Sequence, residues 1–168
     1  MHNNFIQSRA RRVLQKSVLL MMPFVVFFLT ACDSKMVYEK NKKMDEATWN
    51  STDIVKFNVA IPDTVTGYNY YINIRNTTDY GFANLFMFVK TVYPDGKISV
   101  DTVECYLADI QGRWLGKGQG RIIDNRILFR KSVRFPQAGV YSFEYEQGMR
   151  VNQLYGIEDI GIRIEKSE

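Results

Sequence analysis

Two cysteines, a single histidine and a scatter of carboxylates are the side chains of this 168-residue chain that could do covalent, metal-binding or acid–base chemistry. Cys32 closes the run Leu29-Thr30-Ala31-Cys32, in which small residues precede a cysteine at the end of an apolar stretch. That pattern resembles the bacterial lipobox, whose cysteine is acylated and becomes the first residue of the processed chain. Upstream, Arg9, Arg11, Arg12 and Lys16 are followed by the uncharged run Val18 to Leu29, the n-region and h-region of a secretory leader. As a helix that run would reach about 18 Å, short of the ~30 Å hydrocarbon core, and Pro23 interrupts it. A cleaved lipoprotein leader over residues 1–31 is therefore expected rather than a permanent span. Each buried methylene of an acyl chain contributes about 0.8 kcal/mol, so an acylated Cys32 is an effectively permanent anchor.

The leader also carries away the one histidine, His2. Without an imidazole, nucleophile–histidine triads and histidine-ligated zinc are excluded for the processed chain. Cys105 is then the remaining thiol and has no intramolecular disulfide partner. It alternates with Val103 and Leu107 on one strand face, the pattern of a buried apolar cysteine. The carboxylates Asp101, Glu104, Asp109, Asp124, Glu158 and Asp159 show no spacing that makes a glycosidase pair or an EF-hand loop. The glycine-dense stretch Trp114-Leu115-Gly116-Lys117-Gly118-Gln119-Gly120 lacks the hydroxyl residue that must follow Gly-Lys in a phosphate-binding loop, and reads as a turn or bulge. The expectation is a protein that is not an enzyme, with no cofactor, no metal and no small-molecule substrate.

The charge balance removes a further class of partner. The chain holds 22 basic and 18 acidic side chains, and the excess lies wholly ahead of Cys32, leaving the rest balanced. A neutral body has no electrostatic footprint for a polyphosphate backbone, so no nucleic-acid partner is expected.

The elements that must position any surface site have a period of two. Val55, Phe57, Val59 and Ile61 alternate with polar residues, as do Tyr68, Tyr70, Ile72 and Ile74, then Tyr141, Phe143 and Tyr145, then Ile160, Ile162 and Ile164. Leu85 to Val89 is apolar at consecutive positions, which suits a central strand covered on both faces. Pro94-Asp95-Gly96 is a strong turn signal and joins Leu85–Tyr93 to Lys97–Leu107 as a hairpin. Asp124-Asn125 reads as a turn between Ile122-Ile123 and Ile127-Leu128-Phe129. Residues 32–48 mix charges of both signs without periodicity and read as a lipid-anchored tether, with Trp49 opening the folded domain of residues 49–168. About eight short antiparallel strands imply an all-β fold, an immunoglobulin-like or jelly-roll-like β-sandwich.

Surface aromatics and cations are the candidates for recognition. Tyr71 is placed opposite Tyr70 and Ile72, on the outer face beside Asn69, Asn73 and Arg75. The turn-rich segments Asn76–Phe82 and Arg113–Gly120 are assigned to the sandwich ends, and Tyr71, Arg75, Tyr80, Trp114 and Lys117 form the candidate partner-binding set. A glycan-binding envelope module stacking sugars on Tyr71, Tyr80 and Trp114 is the alternative from a different class.

Several runs carry a resemblance: Val37-Tyr38-Glu39-Lys40, Tyr71-Ile72-Asn73-Ile74-Arg75-Asn76-Thr77-Thr78-Asp79-Tyr80, Gly112-Arg113-Trp114-Leu115-Gly116-Lys117-Gly118 and Gly156-Ile157-Glu158-Asp159-Ile160-Gly161-Ile162-Arg163-Ile164. Together with the lipobox Cys32, in this order, they are similar to the gliding-motility lipoprotein GldH family of the Bacteroidetes. The resemblance implies an envelope lipoprotein that supports gliding motility and the type IX secretion-linked machinery, with no known enzymatic activity. It adds other envelope proteins of that machinery as the expected partners, with the membrane reached through Cys32. The expected location is the periplasmic face of the outer membrane, with the inner membrane as the alternative.

Overall fold

The computed structural model describes residues 35–167, which form eleven strands and one 3-10 turn. The leader and the lipobox Cys32 lie outside the described residues. The strands are β1 (Met36–Lys43), β2 (Thr48–Asn50), β3 (Val55–Ile61), β4 (Tyr68–Thr77), β5 (Asn84–Val92), β6 (Ile98–Tyr106), β7 (Lys117–Gln119), β8 (Ile122–Val133), β9 (Gly139–Gln147), β10 (Gln153–Tyr155) and β11 (Ile157–Lys166). They build a five-stranded sheet in the order β1-β11-β4-β8-β7 and a four-stranded sheet in the order β3-β9-β5-β6, with β10 and β2 as a small ribbon. All named pairings are antiparallel, so the fold is the expected β-sandwich.

One hydrophobic core joins the two sheets. Ile72, Ile74, Ile160, Ile162 and Ile164 face inward from the larger sheet onto Phe57, Val59, Met87, Val89, Phe143 and Tyr145 of the smaller. The aromatic residues pack edge to face, as in Tyr70 against Phe143 with ring centroids 5.0 Å apart and Phe57 against Tyr145 at 5.5 Å. The hydroxyls of Tyr70 and Tyr145 satisfy each other at 2.7 Å across this otherwise apolar layer. The hairpin expected at Pro94-Asp95-Gly96 joins β5 to β6, with Gly96 at φ 83, a conformation a side chain would strain.

Four expectations are corrected. The tether assigned to residues 32–48 is contradicted over most of its length, because Met36–Lys43 is strand β1, paired to β11 over its whole length, and the fold begins before Trp49. An edge strand with no fully buried residue shows no alternation, so its order comes from its partner and not from its own pattern. The turn at Asp124-Asn125 is the middle of the continuous strand β8. Asn125 points inward, 4% exposed, and its Nδ2 donates to Ile74 O at 3.1 Å and Asn76 Oδ1 at 2.9 Å. The consecutive apolar run in β5 is covered on one face only, since Phe86 and Phe88 are 37% and 40% exposed on the outer side. The strands number eleven rather than about eight, the short β2, β7 and β10 having too few residues to show a period.

Candidate functional site

The alternation that buries Tyr70, Ile72 and Ile74 sends Tyr71, Asn73 and Arg75 to the outer face of the five-stranded sheet. Register then sets their neighbours. Arg75 pairs with Asp159 of β11 on one side and with Asp124 of β8 on the other; Asp159 pairs with Lys43 of β1, and Asp124 with Lys117 of β7. One row across all five strands thus reads Lys43, Asp159, Arg75, Asp124, Lys117, alternating in sign. Opposite charges directly across a ladder stabilise the pairing and fix its register.

The centre of that row is tightly held. Arg75 Nε donates to Asp159 Oδ2 at 2.5 Å, and the same guanidinium also pairs through its Nη2. The hydrogen bond to Asp159, with the charges of Asp159, Asp124 and Glu158 behind it, holds the guanidinium above its usual range. Asp159 itself is 1% exposed, shielded by the long side chains around it. Toward the β7 end, a hollow of about 530 Å³ opens over Arg75, Lys117, Gly118, Ile122 and Asp124.

The next two rows hold a second polar cluster. Glu39 of β1 accepts hydrogen bonds from Arg163, from Asn73 Nδ2 at 3.0 Å and from Arg126 Nη2 at 3.2 Å. Arg163, only 5% exposed, also pairs with Glu165. Tyr71 lies in the Glu39 row, with Arg163 and Leu128 as its cross-strand neighbours, and is half-buried. The outer face is therefore an ordered polar lattice rather than a field of free side chains.

Three of the five candidate residues, Tyr71, Arg75 and Lys117, share this face. Tyr80 does not: it is 4% exposed, its hydroxyl donates to Asn84 O at 2.9 Å, and its ring contacts Phe82. Its hydroxyl finds a main-chain acceptor inside the fold, so the exposed assignment of Tyr80 is withdrawn. Trp114 is half-buried, bridged to Ala108 and packed on the core. Tyr71, Tyr80 and Trp114 thus present no common platform, which removes the stacking set of the glycan-binding alternative. The segments Asn76–Phe82 and Arg113–Gly120 are linked through Arg121, whose carbonyl accepts from Thr78 N at 2.8 Å and whose guanidinium pairs with Asp79.

Glu39 and Arg163 were not among the residues singled out, Asp159 was weighed only as one of the scattered carboxylates, and Asn73 only as a neighbour of Tyr71. Glu39 sits in the segment read as a tether, and the one visible signal for the others was Gly161 interrupting Ile160, Ile162 and Ile164 on the opposite face. The thiol of Cys105 is fully buried, with its sulfur 4.0 Å from Met87 Sδ. Burial, and then the charge of Glu104, push that thiol up to about 12. Among the described residues no group of histidine, cysteine, aspartate and glutamate side chains is arranged to hold a metal ion.

These features define a β-sandwich protein with a broad, ordered polar sheet face. The chain belongs to the GldH lipoprotein family, whose model matches residues 36–164, from the first residue of β1 almost to the end of β11. A relative from Christiangramia forsetii, named as a gliding motility lipoprotein GldH homolog, is 34% identical over 152 residues, covering 86% of this chain and 93% of its own. The gliding motility lipoprotein GldH of Flavobacterium johnsoniae is 30% identical over 164 residues, covering 94% and 99%. Among solved structures, the infectious bursal disease virus VP2 subviral particle aligns with 80% of this chain and 34% of that chain at 15% identity, with a TM-score of 0.36. Membership of the family makes the chain a membrane-anchored lipoprotein of the cell envelope. Among the described residues no helix is long and apolar enough to cross a membrane.

Proposed function

We propose that the chain is a non-catalytic assembly component of the gliding-motility and type IX secretion-linked machinery, fixed to its membrane by an acylated Cys32. The family relation supports gliding motility, since both relatives carry that name. The observation that carries the assembly role is the five-strand row of alternating charge. Side chains already ordered lose little freedom when a partner docks, and a charge pattern of fixed spacing selects a complementary surface. Confinement to a membrane raises the effective concentration of both partners, so the contact itself can be weak. The sealed thiol of Cys105 also favours a binding role over nucleophilic chemistry.

The test uses two side chains of this face that are exposed or half-buried, Lys117 at its β7 edge and Tyr71 on its central strand. Lys117→Glu reverses the end of the charge row and Tyr71→Ala removes the ring, and neither disturbs a core contact. The double variant, expressed in the parent cells as the full lipoprotein, is expected to keep its melting temperature while losing gliding and the envelope proteins that co-purify with it. Unchanged motility and an unchanged set of co-purified proteins would overturn the assignment of this face. A Cys32→Ala form tests the anchor, and separation of inner and outer membranes from cells carrying the unaltered lipoprotein tests the expected outer-membrane location.

A further inference from the structure

A sheet edge is a template for another strand, and natural folds guard their edges with lysines, prolines, bulges or shortness. Three edges of this sandwich are guarded. β1 carries Lys40, Lys42 and Lys43 and a register shift between Met36 and Tyr38. β7 is three residues long, and beyond it β8 has two irregularities opposite Tyr68 to Tyr71 and the cations Arg126, Arg130 and Lys131. β3 carries Lys56 and runs into Pro62.

The fourth edge, β6, has no lysine, proline, bulge or shortness. Its charges are the acids Asp101, paired with Arg130, and Glu104. The returning segment at Trp114 and Leu115 lies along it only past Tyr106, where Leu115 N donates to Leu107 O. The nine residues of β6 contain no lysine, arginine, proline or glycine, and its register with β5 runs unbroken from Tyr106 opposite Asn84 to Ile98 opposite Val92. Tyr93 N donates to Lys97 O at 2.8 Å and Leu107 N to Ala83 O at 2.8 Å, so the odd-numbered residues bond toward β5. Ile98, Val100, Thr102, Glu104 and Tyr106 therefore turn their N–H and C=O groups to the open edge. The same residues carry the outward side chains, and Ile98, Val100 and Tyr106 are 58%, 61% and 62% exposed. An edge of unbroken register with exposed apolar side chains is what an interface between chains requires.

We propose that β6 pairs with β6 of a second copy of this chain, antiparallel and about a two-fold axis at Thr102, joining the two four-stranded sheets edge to edge. The sequence of the strand is its own complement in that register. Ile98 falls opposite the second copy's Tyr106, Val100 opposite its Glu104, Asp101 opposite its Val103, and Thr102 opposite its own equivalent. Neither acid meets another acid, and all nine residues are used. Centring the axis on Glu104 would set two carboxylates face to face, which is destabilising. In the Thr102 register the residues whose backbone groups point outward, Ile98, Val100, Thr102, Glu104 and Tyr106, pair only with one another. The contact is isologous and closes on itself, so it ends at a dimer. It lies on the other sheet from the charge row and does not depend on the function proposed for that face.

The test is cross-linking in the full-length lipoprotein in its own membranes. Paired residues across a ladder lie about 5.5 Å apart between Cα atoms, within the ~4.4–6.8 Å span of a disulfide. Thr102→Cys is expected to give an oxidised dimer of twice the chain mass. Glu104→Cys, whose two copies would lie roughly 14 Å apart at 3.4 Å per residue, is expected to give none, as is Asn58→Cys on the β3 edge. The sealed Cys105 supplies no background. Thr102→Lys keeps the exposed position but sets two ammonium groups opposite each other. In detergent the unaltered protein should have the mass of two copies and Thr102→Lys the mass of one, with an unchanged melting temperature. Equal cross-linking at 102 and 104, a cross-link from 102 to a protein of different sequence, or the same mass for both forms would overturn the proposal.

Discussion

The side-chain oxygen of Asn41, on β1, occupies the place where a Cβ on Gly161 of β11 would stand. Gly161 is needed for this close approach and not for an unusual φ. The gap lets Asn41 lie across β11 toward Asn73, whose Nδ2 donates to it at 3.4 Å. Gly161→Ala is expected to push Asn41 off the sheet and crowd the Lys40 carbonyl, at a cost of about 1–3 kcal/mol, the range for inserting a carbon where there is no room. Asn41→Ala in the same background should recover part of that loss, because one of the two clashes disappears. Recovery stays incomplete, since the Lys40 carbonyl oxygen remains 2.8 Å from the added carbon. Denaturant midpoints of the two single variants and the double variant give the coupling, and strict additivity would refute the steric account.

Glu39 is the acceptor on which Arg163, Asn73 and Arg126 converge. Removing one partner of a buried ion pair costs about 3–5 kcal/mol when the other charge is left without compensation. Arg163 retains Glu165 and Glu39 is itself partly exposed, so Glu39→Ala is expected below that range, at about 2–3 kcal/mol, and Glu39→Gln at less. Calorimetric melting of both variants checks this. A Glu39→Ala form as stable as the parent would show that the Glu39 cluster adds nothing to the stability of the sheet.

The same residue shows where the sequence was and was not legible. Val55 to Ile61, Tyr68 to Arg75 and Ile160 to Ile164 each have one buried and one outer set, and period two found them because one face of each strand is core. β1 has no buried set, so its local composition could not distinguish a strand from a tether. Asn125 misled for a related reason: Asp-Asn is favoured in turns because both side chains bond locally. Here the Asn125 amide is used by Ile74 and Asn76, distant in the chain and invisible to a local reading. Tyr71 and Arg75 were assigned the correct face by alternation alone, whereas Tyr80 and Trp114 lie outside regular strands, where no period applies. The charge row needed the register of five strands, which the pattern of any one strand does not contain.

Glu144, on β9, lies between Lys90 of β5 and Lys56 of β3, with nitrogen to oxygen distances of 2.9 and 3.0 Å. Its carboxyl is held below the usual range first by the hydrogen bond from Lys90 and then by that from Lys56. A carboxyl whose value is depressed on folding adds stability above its unfolded value, near 4.5, and loses that contribution as pH falls through the folded value. Glu144→Gln should be less stable than the parent at neutral pH by about 0.5–1 kcal/mol, as expected for pairs with half-exposed lysines. The difference should shrink as pH falls from about 5 to 3, since protonation removes the charge from the parent as well. Urea midpoints across that interval measure it, and a difference that grows on acidification would reverse the assigned sign.

Cys105 offers a reading of how the β5–β6 hairpin opens. With its thiol pushed up to about 12, only about one molecule in ten thousand carries a thiolate at pH 8, and the sulfur is sealed beneath Leu85 and Met87. The native protein should resist iodoacetamide at that pH, and the unfolded chain should be labelled completely. Slow labelling under native conditions requires β5 and β6 to separate from the core. Both strands bury residues in the central cluster, so that event should expose as much surface as global unfolding and share its denaturant dependence. A labelling rate independent of low denaturant would instead show β6 leaving the sheet by itself. Replacement by serine should cost about 1–3 kcal/mol, because the new hydroxyl would have apolar neighbours and a distant acceptor at best, while alanine should cost less than serine.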